Sequence, residues 1–207
     1  MFFKKFNINK THFKILELSI FLGLIFTISF TLMGFNYECE KISNSVLRLH
    51  VLANSDSKED QDLKLAVRDR VISKSANMFN NTDNLNCAEN IISEKFMDIE
   101  SIAKEVIAEN GYNYNVKVQL VNMYFNTRQY ENVTLPAGNY DAVRIIIGEG
   151  KGKNWWCVMF PPMCLPAAEE SKELSQVLDD KQLDIVENSG KYEIKFKLLE
   201  LLNHRKY

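Results

Sequence analysis

Between Arg48 and Arg68 the chain gathers Arg48, His50, Asn54, Ser55, Asp56, Asp60, Gln61 and Arg68, and further on Trp155 and Trp156 adjoin Cys157. One chemistry would use such side chains together: nucleophilic attack, with His50 as base for Cys157, or with Ser55 and Asp56 completing a triad around it. The Cys/His version would make an exported hydrolase acting on the cell wall. Cys157, however, stands between Trp156 and Val158 in strand-like sequence, not at the head of a helix where a thiolate is stabilised. Asn54, Ser55 and Asp56 are sufficiently explained as turn and capping residues. Arg48 and His50 are left on a strand without obvious partners. Adjacent strand residues point to opposite faces, so one of Trp155 and Trp156 is at the surface unless a helix covers it. Exposed Trp and Arg are typical binding anchors. Arg48, His50, Asn54, Asp56, Asp60, Arg68, Trp155 and Trp156 are therefore the expected partner-binding residues.

Other chemistries are excluded by spacing. Asp56, Asp60 and Asp62 fail the calcium-loop pattern, with Lys58 among them and no glycine. His12, His50 and His204 lack ligand-spaced partners. Gly148-x-Gly-x-Gly precedes a strand rather than a helix and lacks Gly-Lys-Ser/Thr, so it reads as a flexible hairpin turn and not as a phosphate loop. No metal, cofactor, small-molecule substrate or catalytic residue is expected.

The elements that must position these side chains follow from periodicity. Val46–Asn54 reads as a strand with Leu47, Leu49, Val51 and Ala53 on one face and Arg48, His50 and Asn54 on the other. A helix starts within Ser55-Asp56-Ser57, where Ser57-x-x-Asp60 and Asp56-x-x-Glu59 resemble capping boxes. Leu63, Val67, Val71 and Met78 make its apolar stripe, and Asp60, Lys64 and Arg68 form a ladder on a solvated side. A second helix is expected with Asn86 as cap, Glu89 three positions on, Ile92, Phe96, Ile99, Ala103 and Val106 buried, and Gly111 as its stop. Val116–Leu120 alternates as a half-buried strand, and Tyr140–Ile147 with Asn154–Phe160 reads as a hairpin. A final amphipathic helix turns Ile194, Leu198, Leu201 and Leu202 to the core. The pattern predicts an α+β fold: a single domain, a mostly antiparallel sheet, and helices packed on one face.

The N-terminus sets the compartment. Lys4, Lys5, Lys10 and Lys14 precede an uncharged, mostly apolar run from Leu18 to Tyr37. At about 1.5 Å per residue that run spans roughly 30 Å, a bilayer's hydrocarbon core. Lysines before it and Glu38 and Glu40 after it leave the N-terminus in the cytoplasm and export the rest. Residues 1–37 are thus a basic stub with a signal peptide or signal anchor, crossing the membrane through 15–37. Residues 38–45 read as a polar linker and 38–207 as the extracytoplasmic domain. Thr27-x-Ser29 and the region of Gly34 match a cleavage site poorly, which favours an uncleaved anchor. Residues 38–207 carry a net charge of −5, a poor match for nucleic acid or for an anionic membrane. Outside the cell Cys157 and Cys164 suit a disulfide across the Pro161-Pro162 bend, or they remain buried thiols.

Three stretches resemble the stage II sporulation protein R family: LRLHVLANSDSKEDQDLKLAVRD at 47–69, LPAGNYDAVR at 135–144, and Gly148-x-Gly-x-Gly running into NWWCVMFPPMC at 154–164. The resemblance implies a protein made in the forespore and exported into the space between the forespore and mother-cell membranes. There it would activate a membrane-bound aspartic protease that matures the precursor of an early mother-cell sigma factor. The catalytic aspartates would be the partner's. On this reading the domain is a binding switch that favours the protease's active arrangement. Arg48, His50 and one tryptophan would be contacts, and alanine at Arg48 or His50 would leave folding intact.

Overall fold

In a computed structural model of the chain, residues 10–75, 78–79, 82, 84–130, 132–163 and 174–203 are described. Packing divides the chain into two units, Met1–Tyr37 and Glu38–Tyr207. Helix α1 runs from Lys10 to Ser43. By length and composition it is able to cross a membrane, and its Phe, Ile and Leu side chains from Phe13 to Phe30 are exposed all round. Its last turns belong to the second unit. Residues 38–43, expected as a polar linker, are helical because Cys39 and Ile42 fall one turn apart and both are buried. Glu38, also buried, pairs with Lys181 at 2.8 Å and Lys41 at 3.5 Å.

The second unit is an α+β domain around a four-stranded mixed sheet in the order β2-β5-β1-β6. The strands are β1 (Leu47–Leu52), β2 (Val116–Phe125), β5 (Gly138–Ile147) and β6 (Asn154–Phe160). Strand β1 runs parallel to β5 and antiparallel to β6, and β2 pairs antiparallel with β5. The expected hairpin of Tyr140–Ile147 with Asn154–Phe160 is therefore not formed, because β1 lies between them. Every residue of β1 is buried, and only a central position gives its backbone a partner on both edges. The loop 148–153 must then bridge two strand spacings, about 10 Å.

One face of the sheet carries α2 (Lys58–Ser75), α3 (Leu85–Glu94) and α4 (Phe96–Glu109). Leu47, Leu49 and Val51 of β1 and Val143, Ile145 and Ile147 of β5 meet Leu63, Val67, Val71, Ile92, Ile99 and Ala103 there. The second predicted helix is in fact two, broken at Lys95. Its cap is Asn84, whose side chain accepts from the N–H of Cys87, and not Asn86. Gly111, at φ +82°, ends α4 as expected.

The opposite face is also covered, over the half that carries Arg48. The covering layer is the end of α1, a short ribbon of β3 (Arg128–Tyr130) and β4 (Val133–Leu135), and α5 (Asp180–Glu187). A 3-10 turn, Ser189–Tyr192, leads into α6 (Glu193–Asn203). Helix α6 does not bury the expected stripe. Among its described side chains Phe196 and Leu199 are buried, whereas Ile194, Leu198 and Leu201 are 76%, 37% and 66% exposed; Leu202 of the expected stripe lies outside the described side chains. The helix has two apolar stripes, and packing uses the one holding the aromatic ring.

The loop 148–153 is a clamp rather than a flexible turn. The N–H groups of Lys151 and Gly152 donate to the carbonyls of Asn54 and Ala53, and that of Glu149 donates to Asn54 Oδ1. A Cβ on Gly148 would fall on Asn54 Oδ1, and one on Gly152 on the carbonyl oxygen of Ser55. Gly152→Ala should therefore cost about 2–3 kcal/mol by moving backbone against backbone. Gly111→Ala, in open space at positive φ, should cost only about 1 kcal/mol. Denaturant unfolding of the two variants measures the difference; equal losses would mean that the loop is not pinned.

Candidate functional site

The sequence-predicted residues separate into two groups on opposite sides of β1. The first is the β1–α2 junction. Asp60 is 4% exposed and accepts from Asn54 Nδ2 at 2.9 Å and Ser55 Oγ at 2.5 Å. Burial by itself would raise its pKa, but hydrogen bonds from Ser55, Asn54 and Tyr114 outweigh it and hold the carboxyl below its ordinary range. Ser57 caps α2 by accepting from the Asp60 N–H at 3.2 Å. Asp56 is exposed and accepts from the N–H of Lys153 at 2.7 Å, while Gln61 donates to the carbonyl of Ser55. Lys64 is buried, not solvated as expected, because its Nζ donates to Gln61 Oε1 and to the carbonyl of Lys153. Arg68 is half-buried with its guanidinium 4.2 Å from the centre of the Trp155 ring. This group fixes one end of β1 to the glycine loop, and of the partner-binding residues expected in it only Asp56 is exposed.

The second group lies on the sheet face away from α2. Arg48 is fully buried in a box of three aromatic rings, its Cζ at 4.3 Å from the ring centre of Phe125, 4.8 Å from Tyr140 and 5.6 Å from Tyr130. Its Nη2 donates to Tyr130 Oη at 2.6 Å. Among the described residues its Nε and Nη1 have no partner, and no carboxylate pairs with it. Three ring faces in place of a counter-ion make cation–π attraction the force that holds this charge indoors. Alanine at Arg48 would empty a box inside the domain, so that substitution tests folding and not contact.

His50, next along the same face, is 2% exposed. Its ring stacks on Trp156 at 3.9 Å between centres and 9° between planes. Its Nε2 lies 2.8 Å from Asn154 Oδ1, which assigns the ring proton to Nε2. Burial, partly countered by the Asn154 bond, and the charge of Arg144 push its pKa down to about 4. The register sets Arg144 beside His50 and beside Gln119 of β2. Asn154 is exposed, and Trp156, Arg144 and Gln119 are half-exposed. Here the sheet face opens to solvent. Trp156 belongs to this face and Trp155 to the helical one, and neither is fully exposed.

The proposed His50–Cys157 dyad is not assembled. Cys157 pairs with Leu49 in the ladder and packs in the helical core, on the opposite face from His50. It is also disulfide-bonded, whereas Cys39 and Cys87 are free thiols and Cys164 lies outside the described residues. Burial pushes the Cys39 thiol up to about 12, which leaves it inert. Among the described residues no cluster of three or more His, Cys, Asp or Glu is placed to hold a metal. Sequence reasoning missed Asn154, Arg144 and the three ring partners of Arg48. The even-numbered alternation of β5 and β6 marks the first two, but only the strand order brings them to His50. Glu89, expected in a cap, instead faces Asp141; burial and that neighbouring carboxylate raise it to about 7.

The profile of the family described as Stage II sporulation protein R matches residues 43–170. A relative named Stage II sporulation protein R, from Bacillus subtilis (strain 168), is 37% identical over 153 residues, 70% of this chain and 68% of its own length. The chain belongs to that family. No solved structure matches it. In this member of the stage II sporulation protein R family, the matched stretch includes the junction, the whole sheet and the Arg48 box, and it ends before α5 and α6.

The depressed pKa of His50 has a direct consequence for stability. The unfolded chain takes up a proton near 6.5 and the folded one only near 4, so between these values the unfolded state binds more protons. Stability is fully present above pH 6.5 and falls as the pH drops through 4, by up to about 3 kcal/mol. His50→Gln should flatten this part of the curve relative to the parent in denaturant titrations at stepped pH. Parallel curves would show that the ring is not held neutral.

Proposed function

We propose that this domain is an exported sporulation signal that activates a membrane-bound aspartic protease. That protease would then mature the precursor of an early mother-cell sigma factor. Family membership supports the sporulation role. The signal would act between the forespore and mother-cell membranes, having been exported by the apolar N-terminal helix. The observation that carries the binding mode is the open sheet face of Trp156, Asn154, Arg144 and Gln119, backed by the buried His50 ring, a rigid platform with a guanidinium at its edge. A neutral, clamped imidazole is poorly suited to shuttle protons, and a disulfide-bonded Cys157 is no nucleophile. Surfaces rich in Trp and Arg are suited to docking.

The contact set differs from the one expected from sequence. Arg48 and Asp60 are buried and support the surface from behind. Trp156 is kept as a contact, Asn154 and Arg144 join it, and on this reading the protease is bound preferentially in its active arrangement.

The test is reconstitution in a non-sporulating bacterium that expresses the matching protease and the sigma precursor, with precursor cleavage followed by immunoblot. Cleavage is expected only when this protein is exported. Arg144→Ala and Asn154→Ala, both at the open face, should weaken activation, the arginine by about 2 kcal/mol of binding if it is a hot spot. Lys58→Ala, on exposed α2, should change nothing. Full processing with both open-face variants, at equal protein levels, would move the docking surface elsewhere. No processing with the folded, exported parent would reject the activator reading.

A further inference from the structure

Helix α6 leaves an apolar stripe uncovered, and its chemistry points to one occupant. Ile194, Leu198 and Leu201 recur at i, i+4 and i+7, within an arc of roughly 60°, and all three are exposed. Lys197 and Lys195 flank that arc on its two sides. Lys197 is paired with Glu193 at 2.8 Å and Lys195 lies over the Tyr192 ring at 5.3 Å, surface contacts weak enough to be exchanged for phosphate. The charge is as uneven as the hydrophobicity. Residues 191–207 carry five Lys and Arg against two Glu, net +3, whereas residues 38–190 carry net −8. The mean charge of the domain, which argues against an anionic surface, hides a basic end.

Within the second unit, α5 and the described part of α6 lie close to its first residues, Glu38 and Cys39. Glu38 and Cys39 are the first two residues of the folded unit. Glu38 is ion-paired with Lys181 of α5 at 2.8 Å, and Lys195 of α6 is near enough to Cys39 to act on its thiol. In the chain, Glu38 directly follows the apolar segment.

We propose that α6 lies in the surface of the anionic membrane holding the chain's own N-terminal helix, with Ile194, Leu198 and Leu201 among the acyl chains. This rests on the reading that the N-terminal helix is a membrane segment, and it is independent of protease activation. An interfacial helix of this kind buries its apolar face about 5–10 Å into the headgroup boundary. It would give the domain a second attachment, fixing which way the open sheet face points.

The test uses the full chain in vesicles of phosphatidylcholine with or without phosphatidylglycerol. An environment-sensitive fluorophore is placed at Ile194→Cys or Leu201→Cys in a Cys87→Ser background. Met97→Cys, 84% exposed on α4, is the control. Lipid-borne nitroxides should quench the labels at 194 and 201 but not at 97, more strongly with phosphatidylglycerol present. Ile194→Glu with Leu198 labelled should abolish the quenching and leave the thermal transition unchanged. Quenching at 194 and 201 no greater than at 97 would overturn the proposal. So would label-to-label energy transfer that rises with protein density and ignores lipid, which would assign the stripe to a second copy. Flotation after alkaline extraction reads the anchor separately. If the N-terminal helix is not retained, flotation of the released protein with phosphatidylglycerol vesicles, lost in Leu201→Glu, reads the same contact.

Discussion

A six-residue strand, buried along its whole length, carries a full positive charge in the middle of the sheet. Taking an unpaired guanidinium out of water costs several kcal/mol, and the surroundings of Arg48 answer that cost. Phe125 comes from the end of β2, Tyr140 from β5 and Tyr130 from the ribbon, so three consecutive elements far along the chain from Arg48 converge on its side chain. The ribbon has only three residues on each strand, too few for independent stability. Its Tyr130 hydroxyl accepts from Arg48, and its Val133 and Leu135 are buried. The second layer is thus required by what β1 carries, as much as by apolar area.

The other end of β1 is held by a different device. Asp60 can stay ionised in a buried site because the hydroxyl and amide groups of Ser55 and Asn54 are already turned towards it. Asn54 uses the rest of its side chain to accept from the Glu149 N–H. One asparagine thereby joins the start of α2 to the loop between β5 and β6. The glycines of that loop are needed for approach: their missing Cβ atoms are the space that Asn54 and Ser55 occupy. The motif that resembles a phosphate loop in one dimension is filled by protein in three.

Local features were legible in the sequence, and long-range choices were not. The alternation in β1, the helical stripes of Leu63–Val71 and Ile92–Val106, and the stop at Gly111 all appear where periodicity put them, because each follows from neighbours within two turns. The strand order was not legible, because a tight glycine loop between two strong strands is the ordinary mark of a hairpin, and nothing local says that a third strand will intervene. The face of α6 was misjudged for a related reason: two apolar stripes share eleven residues, and choosing between them needs the partner surface. At the site, Arg48 and His50 stood out because they lie on a strand without obvious partners; their burial was not foreseen. Their partners did not, since Tyr130, Phe125 and Asn154 become neighbours only through the sheet order.

The placement of His50 separates binding from catalysis on physical grounds. A general base needs a lone pair that substrate can reach and a pKa near the working pH. Here Nε2 is committed to Asn154, Nδ1 is buried, and the pKa is depressed to about 4. What the ring offers instead is shape. Stacked on Trp156, which meets Phe125 at a steep angle with 4.8 Å between ring centres, it continues the aromatic packing of the Arg48 box out to the open face. Side chains so constrained lose little rotamer entropy when a partner docks, and that saving is what preorganisation contributes to affinity. On the proposed docking reading, the buried arginine would bear on function without touching a partner, by stiffening the surface offered to it.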